Sequence, residues 1–225
     1  MKKAVLFLAC MALAAALLTG CSGSAEALTP QSYTAQGAQI QGILLDVRDS
    51  RIEVSLSRDG QVHIDYLENS KETYEIAVSE DQVLSMTSVS NKQWTDYIGG
   101  AAARGRTISL QIPDALLSTL ELSTTNEDIS LPALSVTGGV SLCANGGNIA
   151  FEGLDAGGPI SLWVKNGDIS GQITGSYDDY TISCEVKKGE TSLPAQKEGG
   201  TKALEVSANN GDVQIEFTGK TIPQA

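Results

Sequence analysis

The side chains best placed for chemistry lie at one repeated position. Asp128, Asn148, Asp168, Glu190 and Asp212 each precede an apolar or β-branched residue, at 129, 149, 169, 191 and 213. A file of carboxylate and amide oxygens could hold Ca²⁺, which takes six or more hard oxygen ligands. The local alternative is that Asp and Asn accept hydrogen bonds from nearby backbone N–H groups and shape a turn. One acid per turn, with neutral Asn148 among them, is sparse for calcium. The turn-shaping role is the expectation, with Asp128, Asp168, Glu190 and Asp212 as the metal alternative. No other metal site and no cofactor is called for.

Other chemical groups are few. His63 is the single histidine, so no His-rich metal site can form. A Ser-His-Asp triad would have to use it, without a Gly-x-Ser-x-Gly elbow. It is read as a solvated strand residue. Paired carboxylates would suit glycan cleavage. Asp178 and Asp179 are adjacent, however, and a strand would point them to opposite faces. They are assigned to a turn before Tyr180. Trp94 and Tyr97 fall in an irregular stretch with Arg104 and Arg106, and Trp163 falls in an outward slot of a strand. Rings displayed on a rigid scaffold can hold sugars or proteins. These five residues form the candidate binding surface. The competing reading is that the irregular stretch folds over the sheet and Trp94 packs on Trp163.

The elements that must position these groups form one unit written five times. Leu120, Val140, Ile160, Ile182 and Leu204 each stand nine residues before positions 129, 149, 169, 191 and 213. Those later positions step by 20, 20, 22 and 22 residues, the signature of arrayed supersecondary units. Asn-Gly turns connect the halves. Such turns suit a type I′ hairpin, giving an antiparallel β-sandwich, or a sharp corner between stacked rungs. Equal-length copies with like residues at like places favour stacking. The expected fold is all-β, a right-handed parallel β-solenoid, with the sandwich as alternative. The alternating strands from Ile40 to Ser88 would extend or cap it. Ser90 to Gly105 breaks the rhythm and reads as a long loop.

Residues 1–20 read as a lipoprotein signal peptide: Lys2 and Lys3, an apolar run from Ala4 to Leu17, then Leu18-Thr19-Gly20-Cys21. Cys21 is the expected lipidation site, anchoring the chain to a bacterial membrane. Residues 21–39 are small and polar and read as a flexible tether. Residues 40–217 form the expected single β-repeat domain and 218–225 a tail. The net charge of −12 becomes −14 without Lys2 and Lys3. Nucleic acid is thereby disfavoured as a partner. Cys184 takes the inward slot of Leu122, Leu142, Leu162 and Val206, and Cys143 takes an outward one. Two repeats apart, at about 9–10 Å for strand spacing, they are expected to remain unpaired.

Ile108-Ser-Leu-Gln-Ile-Pro113, Asn166-Gly-Asp168-Ile169, Tyr177-Asp-Asp-Tyr180-Thr-Ile182 and Asn209-Asn-Gly-Asp-Val-Gln-Ile-Glu-Phe217 resemble a bacterial family of candidate adhesins, of unknown function, built of β-strand repeats. Gly146-Gly-Asn148 and Lys188-Gly-Glu190 depart from its turn pattern. The resemblance implies an all-β repeat domain, often membrane-attached, and carries over no active-site residues. The expected function is a non-catalytic, lipid-anchored envelope module binding an envelope protein or glycan. The alternatives are a polysaccharide hydrolase or lyase, predicted to use a cleft around Arg104 and Arg106, and a purely structural or stress-related component.

Overall fold

The computed structural model describes residues 27–91, 106–115 and 117–219. They form two long sheets facing each other across one core, mostly of parallel strands. The central rungs run from one sheet to the other, while the fourth repeat reaches the second sheet only by the Thr191–Val213 bridge. The central rungs are β8 (Thr119–Thr124) with β9 (Ile129–Leu131) and β10 (Leu134–Val136), β11 (Gly139–Ala144) with β12 (Ile149–Ala156), and β13 (Ile160–Asn166) with β14 (Ile169–Ile173). Then follow β15 (Tyr180–Lys188), β16 (Gln196–Lys197), β17 (Lys202–Asn210) and β18 (Val213–Phe217).

The register stacks like on like. Ile129 faces Ile149, Ile149 faces Ile169, Ile169 faces Val213, and Val213 bridges to Thr191. In the opposite sheet Leu142 pairs with Leu122 and Leu162, Leu162 with Val206, and Val206 with Cys184. Almost all of these side chains are under 5% exposed, and Cys184 is at 7%. Each fully buried Ile or Leu contributes roughly 1.5–3 kcal/mol of transfer free energy. The parallel ladders rule out the antiparallel sandwich. Antiparallel pairing is confined to strands at the two ends.

Rung order departs from chain order at both ends. β17 and β18 lie directly on β13 and β14, and β15 lies outside β17. The fourth repeat thus skips a slot, which the fifth fills. At the other end, β2 (Gly42–Asp46) and β3 (Arg51–Leu56) form a rung against β8 and β9. Beyond it come β6 (Val83–Ser90) and β7 (Thr107–Ile112), then β4 (Gln61–Glu68) and β5 (Glu72–Val78) as antiparallel additions.

The expected tether 21–39 needs correction. Thr29–Gln36 forms β1, antiparallel to β4 along its full length. Its side chains are at most half-buried, because it is an edge strand with one shallow face. Composition alone therefore read it as linker. The expected loop from Ser90 to Gly105 lies almost wholly outside the described residues.

The free edges are closed by different devices. The Ser192 hydroxyl accepts from the Ile215 N–H and donates to the Ile215 carbonyl, at 2.9 and 3.0 Å, occupying the outer backbone groups of β18. β16 is only two residues long and carries Lys197. Short edges and lysines discourage strand addition from other chains.

Candidate functional site

The turn acids do form a column, joined by hydrogen bonds from one corner to the next. The Asn148 N–H donates to Asp128 Oδ1, the Asp168 N–H to Asn148 Oδ1, the Asp212 N–H to Asp168 Oδ1, and the Glu190 N–H to Asp212 Oδ1. All four bonds measure 2.8 Å. In return, Ile129, Ile149, Ile169 and Val213 donate their N–H groups to the main-chain carbonyls of Asn148, Asp168, Asp212 and Glu190. Asp128, Asn148, Asp168 and Asp212 therefore each fasten a neighbour's corner rather than their own, correcting the within-turn bonding expected from sequence. Asn148 serves as well as an aspartate because only a carbonyl-type oxygen is required. Arg51 begins β3 one residue before Ile52, the partner of Ile129. It ends the column by pairing with Asp128 at 3.4 Å.

Close stacking explains the adjoining glycines. At Gly211 φ is 149°, and a Cβ would fall 1.9 Å from the Gly167 carbonyl oxygen. A shallow trough of about 420 Å³ runs beside the column between Arg51 and Asp168, floored by Ser130, Ala150 and Ser170. Among the described residues, no group of three or more His, Cys, Asp and Glu side chains is placed to hold a metal ion.

His63 is more engaged than expected. Its Nε2 lies 3.0 Å from Asp59 Oδ2 and its Nδ1 lies 3.1 Å from Thr34 Oγ1, joining β4 to β1. A backbone bond from Gln61, then the imidazole, holds the Asp59 carboxyl below its usual range. The side chain of His63 is 25% exposed, so it is partly sheltered rather than freely solvated. Asp178 and Asp179 lie in a short 3₁₀ turn, Tyr177–Asp179. Ser176 and Asp179 cap it reciprocally, as the turn assignment requires.

Of the five candidate surface residues, Trp94, Tyr97 and Arg104 lie outside the described residues. Arg106 is not a surface group. It is 3% exposed, and its guanidinium donates to Glu72 Oε1 at 2.8 Å. The pair fastens the start of β7 to the start of β5, and no sequence periodicity signals it. Trp163 alone matches its expected placement, half-buried on the outer face of β13.

The neighbours of Trp163 are small or polar. Cys143 and Ser207 lie directly across the ladder on either side. Ser161 and Lys165 flank it along its own strand, and Glu205 lies one position diagonal on β17. The two cysteines are unpaired. Because β17 is inserted between β13 and β15, they lie three strand spacings apart, about 14 Å, rather than the two expected. Burial pushes both thiols up, which keeps them protonated and poor nucleophiles.

One unpartnered polar group lies at the C-terminal end of the stack. The Tyr180 hydroxyl is buried without a hydrogen-bond partner among the described residues. Burial, aided by the carboxylates of Asp155 and Asp179, pushes its pKa up to about 12.

The model of one protein family, Toastrack DUF4097, matches residues 40–216. The chain belongs to that family. The fold agrees with a solved structure of a "putative cell adhesion protein" from Clostridium sporogenes. That structure is similar at a TM-score of 0.57 and 8% identity, over 85% of this chain and 100% of that one. A "putative adhesin" from Bacteroides fragilis has 10% identity over 84% of this chain and 97% of its own, with a TM-score of 0.30. A "putative lipid binding protein" from Parabacteroides distasonis has 14% identity over 84% of this chain and 96% of its own, also at 0.30. At such identities the likeness concerns the fold alone, and only the first is close enough to bear on it. No curated protein matches the chain. Among the described residues of this Toastrack chain, no helix is long and apolar enough to cross a membrane.

Proposed function

We propose that this Toastrack chain is a lipid-anchored protein of the bacterial cell envelope whose β-repeat domain is a non-catalytic binding module. The observation that carries the reading is the outer face around β13, where one indole stands on a rigid ladder among small or polar side chains. The Leu18-Thr19-Gly20-Cys21 segment supports the anchor at Cys21. The engagement of Asp179 in a turn cap and of Arg106 in a buried ion pair supports binding over catalysis, since both are among the candidate groups for a polysaccharide hydrolase or lyase. The coil is proposed to be right-handed, following the rule for parallel crossovers.

The test uses the full-length chain expressed in a bacterium. Mass spectrometry of the N-terminal peptide should show an acylated Cys21, and Cys21→Ser should move the protein out of the membrane fraction. Pull-down from envelope extracts, together with a glycan-binding screen, should recover a ligand at physiological salt. Recovery of neither, or cleavage of a glycan during the screen, refutes the binding-module reading.

A further inference from the structure

The geometry points to Trp163 as the stacking platform of a carbohydrate site that takes a neutral oligosaccharide strand, an inference resting on the proposed reading of this face as a binding surface. A protein partner and a sugar ask different things of an outward-facing, half-buried indole. A protein interface buries its aromatic anchor in a pocket ringed by further apolar groups that exclude water. A pyranose offers one C–H face to an aromatic ring and hydroxyls around its rim, so it needs a lone ring surrounded by hydrogen-bonding groups.

The surroundings of Trp163 fit the second description. Cys143 and Ser207 are its neighbours across the ladder, and Ser161 and Lys165 lie two residues away on β13. Ser141, Glu205 and Asn209 occupy the diagonal positions. Among the described residues, no large apolar side chain shares the outer face of β11, β13, β17 and β15 with it, since the apolar residues of those strands alternate inward. Cys143 contributes a small, neutral thiol. The strands adjoin at about 4.8 Å, so short side chains on both sides leave room beside the indole for a flat ligand.

Charge narrows the class. Beside Trp163 the charges of Lys165 and Glu205 balance, and Glu185 pairs with Lys187 at 3.9 Å, so the face is close to neutral while the chain as a whole carries a net charge of −12. A polyanion such as a uronic-acid polymer would be repelled, whereas carboxylates are good acceptors for the hydroxyls of a neutral sugar.

The test is isothermal titration of the full-length chain in detergent with cellohexaose, laminarihexaose and chitohexaose, with polygalacturonate as the anionic counterpart. At least one neutral sugar should bind with Kd on the order of 1 mM or tighter, and polygalacturonate should not bind. Trp163→Ala should weaken binding about tenfold or more, and Trp163→Tyr, which keeps a flat ring, should stay within about threefold. Both variants should keep the parent's β-sheet spectrum and cooperative unfolding, with Trp163→Ala at a lower Tm because the indole is half-buried. If none of the three sugars binds, or if Trp163→Ala binds like the parent, the sugar assignment is overturned. Trp163-dependent capture of an envelope protein without sugar binding would overturn it too, yet leave the binding-module reading intact.

Discussion

Replacing Asp168 separates the two roles open to the turn column. Its Oδ1 accepts the Asp212 N–H at 2.8 Å, while its own N–H donates to Asn148 Oδ1. Asp168→Ala removes that acceptor and orphans the Asp212 N–H. A hydrogen bond to a charged group contributes about 1.5–3 kcal/mol, but this corner is exposed and water can recover part of it. The expected loss is about 1–1.5 kcal/mol, a fall in Tm of about 3–5 °C for a domain of this size. Asp168→Asn keeps a carbonyl oxygen where Asn148 already shows that one suffices. It also removes one negative charge from between neighbouring corners, so its stability should stay within about 0.5 kcal/mol of the parent. Adding about 5 mM calcium should leave the Tm of the parent unchanged, because a site filled a hundredfold over its Kd would add about 2.7 kcal/mol. Scanning calorimetry of the three proteins with and without calcium decides the matter. If Asn proves as damaging as Ala, or if calcium raises the parent Tm by more than about 2 °C, the column is a cation site and the hydrogen-bond argument fails.

Two further outcomes are expected. Arg106→Met should cost about 3–5 kcal/mol by leaving Glu72 without its buried cation, and Arg106→Met with Glu72→Leu should recover much of that, as read from urea unfolding midpoints; an additive double variant would show that the pair is not coupled. The folded pKa of Tyr180 lies above the ordinary value of 10, so its contribution is fully present below about pH 10 and is lost as the pH rises toward about 12. Absorbance titration of the phenols should therefore show one tyrosine ionising only as the fold is lost, and Tyr180→Phe should remove that alkaline step at no cost to stability near neutral pH.

The core was readable from the order of residues because burial in a strand is a local, period-two property. Cys184 could be placed inside and Cys143 outside by comparing each with its counterparts in other repeats, and the ladder bears out both placements. The turn column was readable for the same reason, since stacked copies bring like positions together. Its bonding was not, because whether Asp168 binds its own corner or its neighbour's depends on the distance between rungs. Trp163 could be assigned to an outer face by alternation, but its neighbour Ser207 comes from a repeat two further along the chain and had to be located in space.

By itself, then, the amino-acid order determined the repeat, the faces of the repeat strands and the family to which the chain belongs. Only the tertiary structure decided which rung lies on which, that Thr29–Gln36 is a strand, and that Arg106 is buried against Glu72. The reason is physical. Interchangeable rungs have nearly equal affinity for the same slot, so their order is set by connections and end closure. Edge strands and isolated ion pairs, for their part, bury too little in a regular pattern to leave a periodic trace.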